Sequence, residues 1–231
     1  MPSAAAQAGT LPEGGVQDMF DRIAGVYDLG NSVMTAGLHH DWRRRAVDYA
    51  QVGPGDRVLD VATGTGDLAI ELSHRVGPTG TVVGSDFSEG MLERARVKAP
   101  QLTWEWADVR ELPYPDASFD AVTVGFGARN FGDLDAGLRE MVRVVRPGGR
   151  VVVLEITTPT KPPLSTFFRV WFDHVVPLLG RFDDAYTYLP SSVRRWPDPE
   201  ALGGRLVDAG LHDVRWMLTA GGIIAVHHGL R

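Results

Sequence analysis

The stretch VLDVATGTGDLAIEL, residues 58 to 72, answered by TVVGSDFS at 81 to 88, constrains the fold more than any other part of the chain. An apolar run ends in Asp60 and passes through a glycine-bearing loop into a helical pattern. A second apolar run, one βαβ unit later, ends in Asp86. Gly64 and Gly66 let the backbone turn tightly and approach a ligand, at the carboxyl end of a strand where open α/β sheets bind ligands. The two oxygens of Asp86 suit the two hydroxyls of a ribose.

The loop alone leaves two ligands open. Gly64, Gly66 and Ala69 also satisfy the dinucleotide fingerprint G-x-G-x-x-G/A, with Asp86 about 20 residues on. Asp60 tilts the balance. A carboxylate just before the loop opposes a pyrophosphate and suits a cation such as the sulfonium amino acid of S-adenosylmethionine (SAM), whose ammonium it can pair directly or through water. In WEWADV, Asp108 at a third strand end is placed to meet the adenine amino group, with Val109 or Trp106 as an apolar wall. A lone Asp is often only a helix cap or turn residue, but the three together describe a pocket for adenosine plus an amino acid.

Strands and helices alternate along the rest of the chain. The pattern predicts strands over 57–61, 81–85, 102–106, 121–126 and 151–156. Helices are expected over about 67–76, 88–98 (capped by Ser88, with Met91 and Leu92 inward) and 133–145, the last stopped by RPGGR. This reads as an α/β fold of the Rossmann-like, doubly wound, mostly parallel kind, with a C-terminal antiparallel strand. The close is a helix over about 198–210 and a hairpin from 212–219 and 222–228. Residues 1–16 read as a disordered tail, and 17–231 as one domain with a helical cap over 17–50. An aromatic-rich helical insertion at about 161–195 carries Leu164, Phe167, Phe168 and Trp171 at helical spacing, with Pro177 breaking the helix near its end. This insertion either packs on the sheet or walls a greasy pocket or touches a bilayer.

Composition narrows the classes. With 23 basic and 29 acidic residues, a net charge of -6 argues against a general electrostatic binder of nucleic acid. The one tight basic cluster, Arg43 to Arg45, reads as a solvated helix face. Absence of cysteine removes disulfide and thiolate chemistry and is compatible with a reducing cytoplasm. No apolar run reaches the ~18 residues of a membrane span, and the N-terminus lacks the basic region of a signal peptide, so a cytoplasmic protein, free or peripheral at the membrane, is expected. The histidines show no ligand spacing for a metal. A homodimer is compatible with the sequence but not required by it.

Beyond these readings the chain resembles the UbiE/COQ5/MenG C-methyltransferases, which methylate quinol rings in ubiquinone and menaquinone biosynthesis. The resemblance runs through MFDRIAGVYDLGNSVMTAGLHHDWRR, DVATGTGDL, SDFSEGMLERAR, ADVRELPYPDASFDAVTVGFGARNF, RVVRPGGRVVVLEI, YTYLPSSVRRWPD and LTAGGIIAVHHG, nearly everything after the tail. The glycine loop and RPGG are common to many SAM methyltransferases. The YD...N opening, GxRN and Y-x-Y-L-x-x-S are more particular.

The resemblance implies SAM as cofactor and a prenylated quinol as substrate, demethylmenaquinol being favoured over a ubiquinone precursor. It implies that Thr65, Asp86, Asp108 and Val109 contact SAM, joined in the expected set by Asp60, Gly64, Gly66, Phe87, Met91 and Gly125. Gly125 stands where relatives usually carry serine, in GFGARN for SFGLRN, so only a backbone contact is expected there. Arg129 and Asn130 are the expected catalytic residues, Arg129 stabilising a phenolate or acting through water. Tyr186, Tyr188 and Arg194, with Ser191 and Ser192, are expected at the substrate. Tyr27 and Asn31 are placed to close the N-terminal helices over SAM. His227 and His228 are expected to be structural. Another small aromatic or lipid acceptor, an NAD oxidoreductase and a non-catalytic scaffold remain as rivals.

Overall fold

The computed structural model describes residues 37–159, 164–170 and 191–231, with single positions at 15, 17, 19, 21, 35 and 162. The expected tail apart from position 15, and Tyr27, Asn31, Trp171, Pro177, Tyr186 and Tyr188, lie outside the described residues. Seven strands form one sheet: β1 Arg57–Val61, β2 Thr81–Asp86, β3 Thr103–Trp106, β4 Phe119–Gly125, β5 Val145–Ile156, β6 His212–Thr219 and β7 Ile224–Leu230, in the order β3-β2-β1-β4-β5-β7-β6. The first five are mutually parallel, and β7 runs antiparallel to both neighbours. The antiparallel strand is therefore interior. Strand β6, the edge, runs parallel to β5, because a hairpin inserted β7-first restores the direction of its second member.

Helices α1 His39–Ala50, α2 Asp67–Val76, α3 Glu89–Lys98, α4 Leu134–Val144, α5 Leu164–Val170 and α6 Pro199–Asp208 complete the described elements. One apolar cluster joins α1, α2 and α3 to β5 and β7 through Ala46, Leu72, Leu92, Val152 and Val226. A second joins α4 and α6 to β1, β4 and β5 through Leu138, Leu206, Leu59, Val122 and Val153. A sheet covered on both faces reads as continuous apolar strands, as VVVL does in β5.

Most boundaries fall where the patterns put them, and the caps explain why. Side chains of Ser88, Asp133 and Asp198 accept from the amides of Met91, Ala136 and Ala201, each cap worth about 1 kcal/mol. Strand β5 departs from expectation. It starts directly at Val145, which pairs with Phe119, and the RPGG element bulges before register resumes at Ala121 and Arg150.

The strand order reverses at β1 and β4, whose carboxyl ends form the crevice where such sheets hold ligands. The turn Ala220–Gly222 lies at the same edge, since Thr157 donates to the Ile223 carbonyl at 2.7 Å. Leu164 of α5 fills the space that a Cβ on Gly221 would need, so the described part of the aromatic insertion is seated at this edge.

Candidate active site

The loop between β1 and α2 needs backbone angles that favour glycine. Gly64 has φ 58° and Gly66 φ 88°, and Ala62 is held at φ 47°. The Gly64 amide donates to Asp86 Oδ2 at 2.8 Å, while the Ser88 amide donates to Oδ1 at 2.9 Å. Asp86 thus ties the glycine loop to the start of α3. The Phe87 amide bonds the same carboxylate, and two oxygens with about four acceptor sites still leave it capacity for a ligand hydroxyl. Burial pushes this carboxyl up to about 6, against the pull of the amides.

A residue absent from the expected site supports the loop from below. Trp104 pairs with Gly84 in register, and its ring fills the space that side chains on Gly84 and Gly66 would occupy. Its indole nitrogen donates to the Ala99 carbonyl at 2.9 Å. Glycine at 66 therefore serves both its backbone angle and the indole.

Asp60 is wholly buried under the loop. It accepts hydroxyl bonds from Thr63 and from Thr123 of β4, each 2.6 Å, and so bridges the two strands of the crevice. Burial pushes its carboxyl up to about 6, opposed by the two hydroxyls and by Arg43.

Arg43 corrects the solvated reading of the basic cluster. Arg44 and Arg45 are exposed, but Arg43 is only 6% exposed. It falls on the buried face of α1 with His39, Ala46, Val47 and Ala50, four residues after His39 and three or four before the next two. Its guanidinium meets Asp67 at 3.2 Å, bonds His39 Nδ1, and lies 5.7 Å from the centre of the Phe126 ring. Asp67 also holds Lys98 at 2.7 Å, and Lys98 reaches the Thr65 hydroxyl at 3.0 Å. Burial pushes the Asp67 carboxyl up, but Arg43 and Lys98 together outweigh it and hold the group below its usual range.

At the adenine end, Asp108 lies two residues past β3 rather than at its end. The Arg110 guanidinium grips it through Nε to both oxygens at 3.0 Å and Nη2 to Oδ2 at 2.6 Å. That pairing holds the Asp108 carboxyl below its usual range. The expected adenine acceptor is therefore engaged by a neighbour. Trp106 is 56% exposed, with its indole nitrogen donating to the Phe87 carbonyl at 2.8 Å. Gln17 donates to the same carbonyl at 2.8 Å, and Asp21, four residues on, accepts from the Ser88 hydroxyl and the Gly90 amide. Val109 is partly buried against the second core cluster, and Met91 is buried in the first turn of α3.

At the acceptor end, Gly125 closes β4, and Leu68 lies 3.0 Å from where its Cβ would be. Phe126 follows at φ 61°, and a Cβ on Gly127 would come within 2.6 Å of the Ala62 side chain. The loops after β1 and β4 are thus in contact. Arg129 and Asn130 form a 3-10 turn, Ala128–Asn130. Arg129 pairs with Glu155 of β5 at 2.8 Å and also donates to the Phe126 carbonyl. Sequence reasoning passed over Glu155, although a lone charge inside VVVLEI was its signal, as the lone Thr123 in AVTVGF was for Asp60.

Arg194 is exposed, while Ser192 beside it is buried. His227 lies buried in β7, stacked on Trp216, with Nε2 2.9 Å from the Pro199 carbonyl. Burial pushes it down to about 4, so it is a neutral packing residue. Burial also lowers His228, which stacks on Tyr49. Among the described residues no group of three or more His, Cys, Asp or Glu could hold a metal, and no helix is long and apolar enough to cross a membrane.

A ribose acid tied to a glycine loop, over a second carboxylate at the crevice, suits an adenosyl amino acid, and residues 8–231 match the model of the ubiE/COQ5 methyltransferase family. The chain belongs to that family. It is 40% identical over 226 residues to the ubiquinone/menaquinone biosynthesis C-methyltransferase UbiE of Ectopseudomonas mendocina (strain ymp), covering 94% of this chain and 88% of the relative. To the protein of the same name in Yersinia pestis (strain Pestoides F) it is 39% identical over 229 residues, covering 95% and 91%. Two solved SAM-dependent methyltransferases share the fold. One, from Thermotoga maritima, described as a possible histamine N-methyltransferase, has TM-score 0.68 at 18% identity over 92% of this chain and 98% of its own. The other, from Aquifex aeolicus, has TM-score 0.60 at 21% identity over 81% and 88%. This ubiE/COQ5-family chain is thus a methyltransferase, and the dinucleotide and scaffold alternatives fall away.

Proposed function

We propose that the chain transfers the methyl group of SAM to a ring carbon of a prenylated hydroquinone, demethylmenaquinol in preference to a ubiquinone precursor. The observation that carries this reading is the buried Arg129–Glu155 pair at the ends of β4 and β5, beside the loop that contacts the glycine loop. In this reading the pair holds a hydrogen-bonding cation on the acceptor side of the crevice, where a phenolate would form.

Asp86 accepts from the ribose hydroxyls. Thr65 and the backbone at Gly64, Gly66, Phe87 and Gly125 line the ligand, and Asp60 answers the ammonium from beneath the loop. Asp108 meets the adenine amino group after parting from Arg110, with Val109 and Met91 on the apolar side. SAM supplies an electrophilic methyl.

A neutral quinol carbon is a weak nucleophile, so a hydroxyl proton must leave first. Arg129 is too basic to take it and instead donates to the forming phenolate while water accepts the proton. Glu155 fixes the guanidinium, and Asn130 holds the second ring oxygen. Transfer of the methyl cation to the ring carbon would leave the cofactor as a neutral thioether and the ring as a dienone, whose ring proton would pass to water as the carbonyl oxygen regains a proton and the aromatic hydroquinone is restored. Alignment and exclusion of water are the protein's main contributions, because attack neutralises charge.

Leu164 and Val170, partly exposed on α5 at the ligand edge, are apolar neighbours for the prenyl chain. Tyr186, Tyr188 and Arg194 complete the acceptor side in this reading. Anaerobic incubation with methyl-labelled SAM and, separately, reduced demethylmenaquinone and a ubiquinone precursor lacking the ring methyl tests it. A labelled menaquinone product is expected. Label in the ubiquinone precursor alone reverses the ring choice, and label in neither, with SAM bound, overturns the acceptor class.

A further inference from the structure

We propose that Arg43 binds the carboxylate of the cofactor's amino-acid end, so that α1 supplies part of the SAM site. The inference rests on SAM as cofactor and concerns one group of it that the residues above leave without a partner. Asp86 answers the ribose and Asp60 the ammonium; neither can hold a carboxylate.

The placement of Arg43 is hard to explain as surface chemistry. It comes from a helix outside the alternating strands, yet its guanidinium stands between the two loops of the crevice, paired with Asp67 at the end of the glycine loop and 5.7 Å from the Phe126 ring after β4. Burying a guanidinium is costly unless it is paired and hydrogen-bonded. The pairing here is shared: Asp67 gives one oxygen to Arg43 at 3.2 Å and the other to Lys98 at the shorter 2.7 Å.

The charges around the loop balance as a set that matches a zwitterion. Asp60 and Asp67 oppose Arg43 and Lys98, with Asp60 and Arg43 close enough to act on each other through space but not hydrogen-bonded. An amino acid placed between them meets a carboxylate at its ammonium and a guanidinium at its carboxylate. Arg43 turns Nη1 to His39, meeting both its Nδ1 and, at 3.5 Å, its carbonyl, whereas Nη2 meets Asp67 at 3.2 Å and carries a second hydrogen. That hydrogen suits a charge-assisted bond to a carboxylate oxygen.

The test measures binding, by calorimetry, of three ligands to the purified full chain: SAM, decarboxylated SAM and methylthioadenosine, which lacks the amino acid altogether. Removing a charge-assisted bond to the carboxylate should weaken binding by about tenfold to a hundredfold. The unaltered protein is therefore expected to bind SAM at least tenfold more tightly than decarboxylated SAM. Arg43→Gln should lose that preference while binding methylthioadenosine as before, and Arg43→Lys should keep part of it.

Equal affinity of the unaltered protein for SAM and decarboxylated SAM overturns the proposal without any variant, so a folding defect in Arg43→Gln cannot hide the answer. Equal weakening of all three ligands in a folded Arg43→Gln overturns it too, since that marks a residue that only props the loop. Failure of the unaltered protein to bind SAM at all would remove the cofactor on which the proposal rests, and is distinct from both.

Discussion

Arg129 Nη1 meets Glu155 Oε1 at 2.8 Å, with both side chains nearly shut off from water. Glu155 also takes the amides of Arg129 at 3.2 Å and of Ile156 at 2.8 Å, so one carboxylate fixes the 3-10 turn to β5. Removing one member of such a pair leaves the other charge buried alone. Glu155→Ala should lower unfolding free energy by about 3–5 kcal/mol in urea titrations. Glu155→Gln keeps one acceptor oxygen for one of the two amides and leaves no buried carboxylate, so it should lose less stability than alanine, yet should depress kcat more than the KM for SAM because Arg129 loses its orientation. Equal stability of the alanine variant and the parent would show that the pair does not fix the turn.

The two raised carboxyls give stability a definite pH slope. Asp60 and Asp86 are both pushed up to about 6 from 3.8. Below the unfolded value both groups are protonated in either state, and burial carries no penalty. As pH rises from about 4 through about 6, the folded protein must ionise buried acids, so their contribution to stability falls and stays low above. Asp60→Asn should flatten this slope and be more stable than the parent at pH 7.5 by about 1–3 kcal/mol, while binding SAM more weakly. Urea melts at pH 4.5, 6 and 7.5 measure this. An unchanged slope would mean that Asp60 does not titrate in that window.

Affinity for the cofactor should follow the same groups in the opposite sense. A cationic amino acid pairs with ionised Asp60, so SAM should bind progressively more tightly between pH 5 and 7 and then level off. Methylthioadenosine, without the ammonium, should show a weaker dependence that reports Asp86. Parallel pH profiles for the two ligands would separate Asp60 from the ammonium.

How much of this was legible follows from the range over which each signal acts. Glycine angles, the Ser88 cap and the run ending in Asp86 are local, so the sequence carries them within a few residues. Arg43 was misread because RRR looks like a charged helix face, and only its fourfold spacing from His39 and its place before Ala46 and Val47 put it inward. Trp104 and Gly66 are far apart in the chain, and their contact depends on strand register, which periodicity does not give. The grip of Arg110 on Asp108 is local, but it competes with a ligand, and a sequence pattern identifies an acceptor without saying what already occupies it. The place of β7 inside the sheet is likewise a pairing decision between two similar apolar runs.

The contact of Trp104 with Gly66 makes a coupled pair. Gly66→Ala suffers a strained backbone at φ 88° and a methyl overlapping the indole, together costing about 2–4 kcal/mol. Trp104→Ala alone should cost about 3–5 kcal/mol by leaving a cavity under the loop. The double variant should lose less than the two added, because the cavity accepts the methyl. Strict additivity in urea titrations would place the indole away from the loop.

Arg110 offers the sharpest test of the adenine end, because its removal should improve binding. Its ion pair with Asp108 is about one-third exposed on both sides, and exposed pairs are worth roughly 0.2–1 kcal/mol. An adenine amino group that takes Asp108 as acceptor must first displace that pairing. Arg110→Ala should therefore bind SAM and methylthioadenosine about two- to fivefold more tightly, whereas Asp108→Ala should weaken both. The gain should vanish in the double variant, since without Asp108 there is no acceptor to release. Tighter binding in Arg110→Ala that survives loss of Asp108 would assign the effect to the removed positive charge, and adenine would then be held by another group.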